Sequence, residues 1–335
     1  MNIRNYIFVT GAYWGFTLTD GALRMLVLLH FSHLGYSPVT LALLFLLYEF
    51  CGILTNLFGG WLASRLGLRV TLIAGLALQV AALGLLARLN PAWPEGWAVA
   101  YVMATQALSG IAKDLTKMSS KSAIKLLVPV GAQGMLFRWV ALLTGSKNAL
   151  KGVGFFLGGF LLTLAGFAGA LEIMAGALAL VWIGAWVSLP AELGKAKTKA
   201  GFKELFAKSR EINLLCAARF FLFGARDIWF VVGVPVFLRS VLGWSFTEVG
   251  TFMAFWVIGY GLVQGASPVL WRGRAPAGSA ALVLAFMLAA VSAGVPLALT
   301  LGAPAGWVVV SGLAIFGVIF ALNSAVHSYL ILDYT

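Results

Sequence analysis

The chain has 335 residues, of which 61% are hydrophobic and only 10% charged, and its mean hydropathy is +0.97. A soluble domain carries roughly a quarter charged residues, so this composition excludes a water-soluble enzyme or binding module. The net charge of +12 does not mark a nucleic-acid binder, because the basic residues sit in short gaps between hydrophobic runs rather than in one solvated patch.

Taken in chain order, runs of about 20 or more apolar residues mark ten bilayer-spanning helices. They cover 6–33, 39–62, 70–89, 97–118, 136–164, 169–190, 212–239, 247–270, 278–301 and 305–330. Pro, Gly or charged residues punctuate the joints, as at Asn90-Pro91 and Pro94-Glu95-Gly96. The first run is too long for the apolar core of a cleavable signal. Cys51 and Cys216 lie far apart, and neither a disulfide framework, a metal site nor a cofactor is expected.

Joints after the second, fourth, sixth and eighth runs hold the basic residues: Arg65 and Arg69; Lys117, Lys121 and Lys125; Lys195 to Arg210; Arg272 and Arg274. The opposite joints hold little beyond Arg88 and Arg239. By the positive-inside rule the N-terminus and the basic joints are expected to be cytoplasmic, and the expected location is the cytoplasmic (inner) membrane. The polar stretch divides the chain into an N-terminal six-helix half at 1–190, a basic linker at 191–211 and a C-terminal half at 212–335. Lys195, Lys197, Lys199, Lys203, Lys208 and Arg210 suit an ordinary cytoplasmic linker, with anionic lipid headgroups as possible partners.

Leu34-Gly35-Tyr36-Ser37 after the first helix is echoed by Leu242-Gly243-Trp244-Ser245 after the seventh, and at the same offset Asp20 falls beside Asp227. The echo indicates parallel repeats of six helices. About four helices follow the linker, so a final hairpin is expected beyond Thr335, ten helices standing for twelve.

Charges inside the helices carry the functional reading. Arg24, Lys147, Lys151, Arg219 and Arg226 interrupt apolar runs, with Lys113 nearer its helix end, and so do the acids Asp20, Glu49, Asp114 and Asp227. Exposed to lipid, they would together cost on the order of 25 kcal/mol, so they face a polar interior. Asp20 and Arg24 share a helix face and can pair, and Arg226-Asp227 is their counterpart in the second half. These pairs fit static salt bridges and substrate contacts equally well. Lys147 and Lys151, like charges one turn apart without an acid nearby, favour a visiting anion. Glu49 is either a proton site or the partner of an arginine. His30, His33 and His327 lie near helix ends, where an interfacial role is expected. The third, sixth and ninth helices are almost free of charge, which suits lipid-facing positions.

Gly60-Trp61-Leu62-Ala63-Ser64-Arg65-Leu66-Gly67-Leu68-Arg69 resembles the loop signature of the major facilitators, with Ser64 where that pattern usually has Asp. Gly60, Arg65, Gly67 and Arg69 are therefore expected to form a gating loop, the basic residues binding neighbouring helix ends and acids. Gly145, Gly154 and Gly158 follow the start of an antiporter glycine pattern, but Gly159 replaces its proline, and close packing through small residues explains them.

Longer blocks are more specific. Thr19-Asp20-Gly21-Ala22-Leu23-Arg24-Met25-Leu26, Ser109-Gly110-Ile111-Ala112-Lys113-Asp114-Leu115, Arg138 through Gly152 and Phe223-Gly224-Ala225-Arg226-Asp227 resemble the ArsJ-type organoarsenical efflux permeases, a branch of the major facilitator superfamily. The resemblance implies an all-α helical bundle in the membrane. It implies export of 1-arseno-3-phosphoglycerate, an anion that a partner glyceraldehyde-3-phosphate dehydrogenase makes from arsenate. Arg24, Lys113, Lys147, Lys151 and Arg226 are then the candidate substrate ligands, and Asp20, Glu49 and Asp227 the ion-pair or coupling groups. The expected partners are this anion and membrane lipid, with no nucleic acid, and the expected state is a monomer. An exporter of another organic anion or drug, driven by protons, fits the same charges. A membrane-embedded enzyme or sensor fits them less well, since no nucleophile motif or phosphate loop occurs.

Overall fold

A computed structural model describes residues 3–129, 131–191, 193–194, 209–227, 234, 237–238, 241–244, 246–272 and 274–334, with Ile3, Pro38, Leu126, Leu127, Ala225, Asp227, Phe246 and Thr247 described by backbone alone. Among the described residues every regular element is an α-helix. In chain order these are α1 (Ile3–His33), α2 (Pro38–Leu43), α3 (Leu46–Leu66), α4 (Leu68–Leu86), α5 (Glu95–Leu127), α6 (Gln133–Ser188), α7 (Arg210–Asp227), α8 (Phe246–Leu270), α9 (Gly278–Thr300) and α10 (Ala305–Tyr334). The lysines expected at 195–208 lie outside the described residues, as does most of 228–240.

Local chemistry sets the breaks. Gly35 turns the chain after α1 with φ of 84°. Ser37 then caps α2, its hydroxyl accepting from the Thr40 amide at 3.1 Å, with Pro38 in the first turn. The expected second span is interrupted at Leu44–Phe45, so α2 and α3 together form it. Gly67, at φ 89°, reverses the chain between α3 and α4.

The expected fifth and sixth spans form one continuous run, α6. Its 56 residues would extend about 84 Å, far more than the ~30 Å hydrocarbon core. The run breaks at Gly166, whose φ of 69° and ψ of −175° suit only glycine, so two spanning legs remain. The fourth span continues beyond 118 to Leu127, which carries Lys121 and Lys125 on the helix itself.

Six described segments are long and apolar enough to cross a membrane: Val39–Leu66, Leu68–Leu86, Gln133–Ser188, Glu248–Leu270, Gly278–Thr300 and Ala305–Tyr334. The helices α1, α5 and α7 are not among them. These carry Asp20 and Arg24, Lys113 to Lys125, and Arg219 and Arg226. α9 is the opposite case: Leu282, Val283 and Phe286 are exposed, and no charge interrupts the helix.

Contacts divide the chain into two compact units. One comprises Met1–Pro129 and Leu150–Ala207, the other Val130–Ala149 and Lys208–Thr335. In the first, α5 packs against α1, α3 and α4, around a core that includes Phe16, Leu23, Leu72, Leu76 and Leu83. In the second, α10 packs against α7, α8 and α9, and Val234, Leu238, Val309 and Leu313 form an apolar cluster.

Glycines let helices touch through backbone. A side chain at Gly110 would overlap the Tyr48 carbonyl, and one at Gly158 the Ala22 carbonyl. Gly145 meets Gly261 and Gly265 in the same manner within the second unit. Packing accounts for Gly145, Gly154 and Gly158, as expected from their small size. The internal echo also reaches into the packing. Tyr48 against Gly110 has its counterpart in Trp256 against Gly317, at the offset that carries Leu34 to Leu242, within one residue.

Candidate functional site: a cationic cluster on α1, α3, α5 and α6

Four helices of the first unit bring their charges together. Arg24 from α1 pairs with Glu49 from α3, and Lys113 from α5 reaches the other oxygen of Glu49 at 3.1 Å. Asp114, one residue on, takes Lys117 at 2.5 Å and lies 3.8 Å from Lys113. Glu49 is thus the partner of an arginine, and of a lysine as well. Its side chain keeps 54% of its surface exposed, so the pair is open on one side.

The expected Asp20–Arg24 pair does not form. Asp20 is buried and accepts instead from the Tyr48 hydroxyl at 2.5 Å, while Arg24 extends to α3. The helical spacing allowed the pair; the neighbouring helix supplied a donor for Asp20 and a second carboxylate for Arg24. Tyr48 is the hub: its ring lies 4.6 Å from the Arg24 guanidinium and 4.1 Å from the Lys113 ammonium, so it holds two cations by its π face. Removing only the hydroxyl, as in Tyr48→Phe, would leave Asp20 buried without this donor. We expect a loss of about 1–3 kcal/mol, read as a lower midpoint of thermal unfolding in detergent.

Gly52, one turn after Tyr48, makes room for the same group. A side chain there would come within 2.8 Å of Asp114 Oδ2 and 3.3 Å of Lys113 Nζ.

Lys151 completes the cluster from α6. Its ammonium lies in the field of Arg24, Lys113, Asp20 and Glu49. It makes no hydrogen bond or ion pair among the described residues. Four cations (Arg24, Lys113, Lys117, Lys151) therefore face three carboxylates (Asp20, Glu49, Asp114), and the surplus positive charge is the one without a partner. Such a charge within an apolar span is costly unless water or an anion meets it.

The other expected residues lie elsewhere. Lys147, one turn before Lys151, belongs to the second unit, where the neighbouring Asn148 donates to Gln264 at 2.5 Å. Arg226 stacks over Phe223 and Phe320 at 5.0 and 5.5 Å. The side chain of Asp227 lies outside the described residues. In the loop, Gly67 makes the turn and Arg65 covers Trp61 at 4.6 Å. Arg69 donates to the Trp186 carbonyl at 2.7 Å, satisfying the last turn of α6. Gly60 faces Met118. His30 stacks on Phe167, and His327 is buried in the second unit, where the polar face of α10 turns inward.

Several helices apolar and long enough to cross a membrane, with charged side chains gathered on the helices packed against them, are the construction of a membrane transporter. A family model of the Major Facilitator Superfamily matches residues 9–335, and the chain belongs to that superfamily. The solved proton:xylose symporter XylE is similar in fold, with a TM-score of 0.77 at 14% identity over 99% of this chain and 82% of its own. A bacterial homologue of the iron transporter ferroportin in an outward-facing state matches with a TM-score of 0.72 at 16% identity, over 98% of this chain and 85% of its own. The human organic anion transporter MFSD10 (TETRAN) follows at 0.68 and 16% identity, over 99% of this chain and 85% of its own. No curated protein sequence matches the chain.

Proposed function

We propose that this transporter exports an anionic organoarsenical, 1-arseno-3-phosphoglycerate, across the cytoplasmic membrane by alternating access, and so confers resistance to arsenate. The observation that carries the anionic half of this reading is Lys151, a cation without a partner among the described residues, beside the Arg24–Glu49–Lys113 group. A phosphate or arsenate oxygen entering there would meet Lys151 first and then compete with Glu49 for Arg24 and Lys113. Charge-assisted hydrogen bonds to arginine and lysine suit such oxyanions. The arsenic half rests on the sequence blocks around Asp20, Lys113, Lys147 and Arg226. Within it, Lys147 and Arg226 are further ligands, Asp20 and Asp227 coupling groups, and the loop from Gly60 to Arg69 a gate. A glyceraldehyde-3-phosphate dehydrogenase supplies the ester, the transporter acts as a monomer, and its N-terminus faces the cytoplasm, with 191–211 linking the two halves.

Exchange of another organic anion or drug for protons is a second reading, favoured by the position of Glu49 between two cations that an arriving anion would claim. The deciding measurement is arsenate accumulation in cells expressing the transporter gene, with and without the dehydrogenase. We expect accumulation to fall only when both proteins are present. A fall without the dehydrogenase, or none with it, removes the organoarsenical as cargo.

A further inference from the structure

The second unit holds a polar group that the export reading leaves unused. Arg219, on α7, is half-buried and makes no ion pair among the described residues; its Nη1 donates to the Ser328 hydroxyl at 3.5 Å. Its guanidinium stacks over Phe223 at 4.6 Å, and among the described residues it makes no other hydrogen bond, although it carries five donors. On α10, His327 is 4% exposed and lies in the field of Arg219, and its Nδ1 has no hydrogen-bond partner among the described residues. Asn323, one turn earlier and fully buried, has neither amide atom partnered among the described residues. Tyr260 of α8 joins the group through Ser324, and Arg226 adds a second positive charge to its field.

Buried polar groups without partners each cost free energy, and so does a largely buried cation without a counter-charge. Their gathering around one arginine is what a site waiting for a ligand looks like, since a single guest can satisfy them together. A guanidinium fork flanked by hydroxyl and imidazole matches oxygen acceptors carrying negative charge.

We propose that Arg219, His327 and Ser328 form an oxyanion subsite within the second unit, which takes a phosphate or carboxylate group of a small solute. The subsite uses residues of α7 and α10 alone, so it stands even if the cargo read from the first unit is a different anion.

The test uses the purified full chain in detergent, with inorganic phosphate as the probe and chloride matching the ionic strength. Calorimetric titration of Lys151→Gln, with the first-unit cluster weakened, should retain phosphate binding. Adding Arg219→Gln to that background should weaken it about tenfold or more, and Ser328→Ala should weaken it less. Arg219→Lys, which keeps the charge without the fork, should fall between, and it serves if Arg219→Gln fails to fold. Equal phosphate affinity with and without Arg219 would overturn the subsite, as would absence of phosphate binding in the wild-type chain, which would leave water as the guest. Phosphate binding that depends on Arg219 while the arsenate assay fails would sink the organoarsenical reading and keep the subsite.

Discussion

Lys151→Gln is expected to return arsenate tolerance, in cells that co-express the dehydrogenase, to the level of cells without the transporter. The side chain lies in the field of four charged neighbours and pairs with none of them. Its replacement therefore takes nothing from the empty protein but a charge that is expensive within an apolar span. The purified variant should unfold at the same temperature as wild type or higher, the trade of stability against activity that binding sites show. Loss of one hydrogen bond to a charged group costs about 1.5–3 kcal/mol, or roughly 10- to 100-fold in affinity for an anion. Lys151→Arg, which keeps the charge, should recover part of the transport. Full tolerance in Lys151→Gln, with the protein present in the membrane, would remove this residue from the binding site.

Gly110→Ala should have the largest effect on stability. The added methyl group would overlap the backbone of Tyr48, an obstacle that no rotamer change relieves. α3 and α5 would have to separate, and overpacking of this kind costs about 3 kcal/mol or more when backbone must move. The same separation would pull Glu49 and Tyr48 away from Lys113, so transport should fail together with folding. Gly317→Ala, the counterpart in the second half, meets the Trp256 side chain instead, whose indole donates to the Leu313 carbonyl at 2.9 Å. That ring can shift, and the cost should be nearer 1 kcal/mol, one hydrogen bond. Gly84→Ala provides the contrast: nothing lies within 4 Å, and the helix should gain up to about 1 kcal/mol. Thermal unfolding of the three variants in one detergent gives the order; a Gly110→Ala protein as stable as Gly84→Ala would contradict the packing described.

Both expectations rest on neighbours that a linear reading does not give. Tyr48 looks like one more aromatic in an apolar run, yet it joins Asp20, Arg24 and Lys113. Its signal in the sequence was faint: an aromatic hydroxyl next to an intramembrane acid, Glu49. Gly52 and Gly110 carried no signal beyond their size. Arg219 was legible as an intramembrane charge, but the buried His327 and Ser328 beside it were not. The internal echo gave no help there, because its offset carries Lys113 onto Ala321, and the second half places its cations on α7 instead.

By itself the sequence determined the membrane class, the apolar spans and the list of charges that must avoid lipid. Those follow from length and composition, since a span needs about 20 apolar residues and every charge within one is costly wherever its neighbours stand. Only the tertiary structure decided which charges meet. Helical spacing offered Asp20 to Arg24, but side chains choose among all groups within reach, and the backbone contact of α3 with α5 at Gly110 put Tyr48 and Glu49 closer to hand.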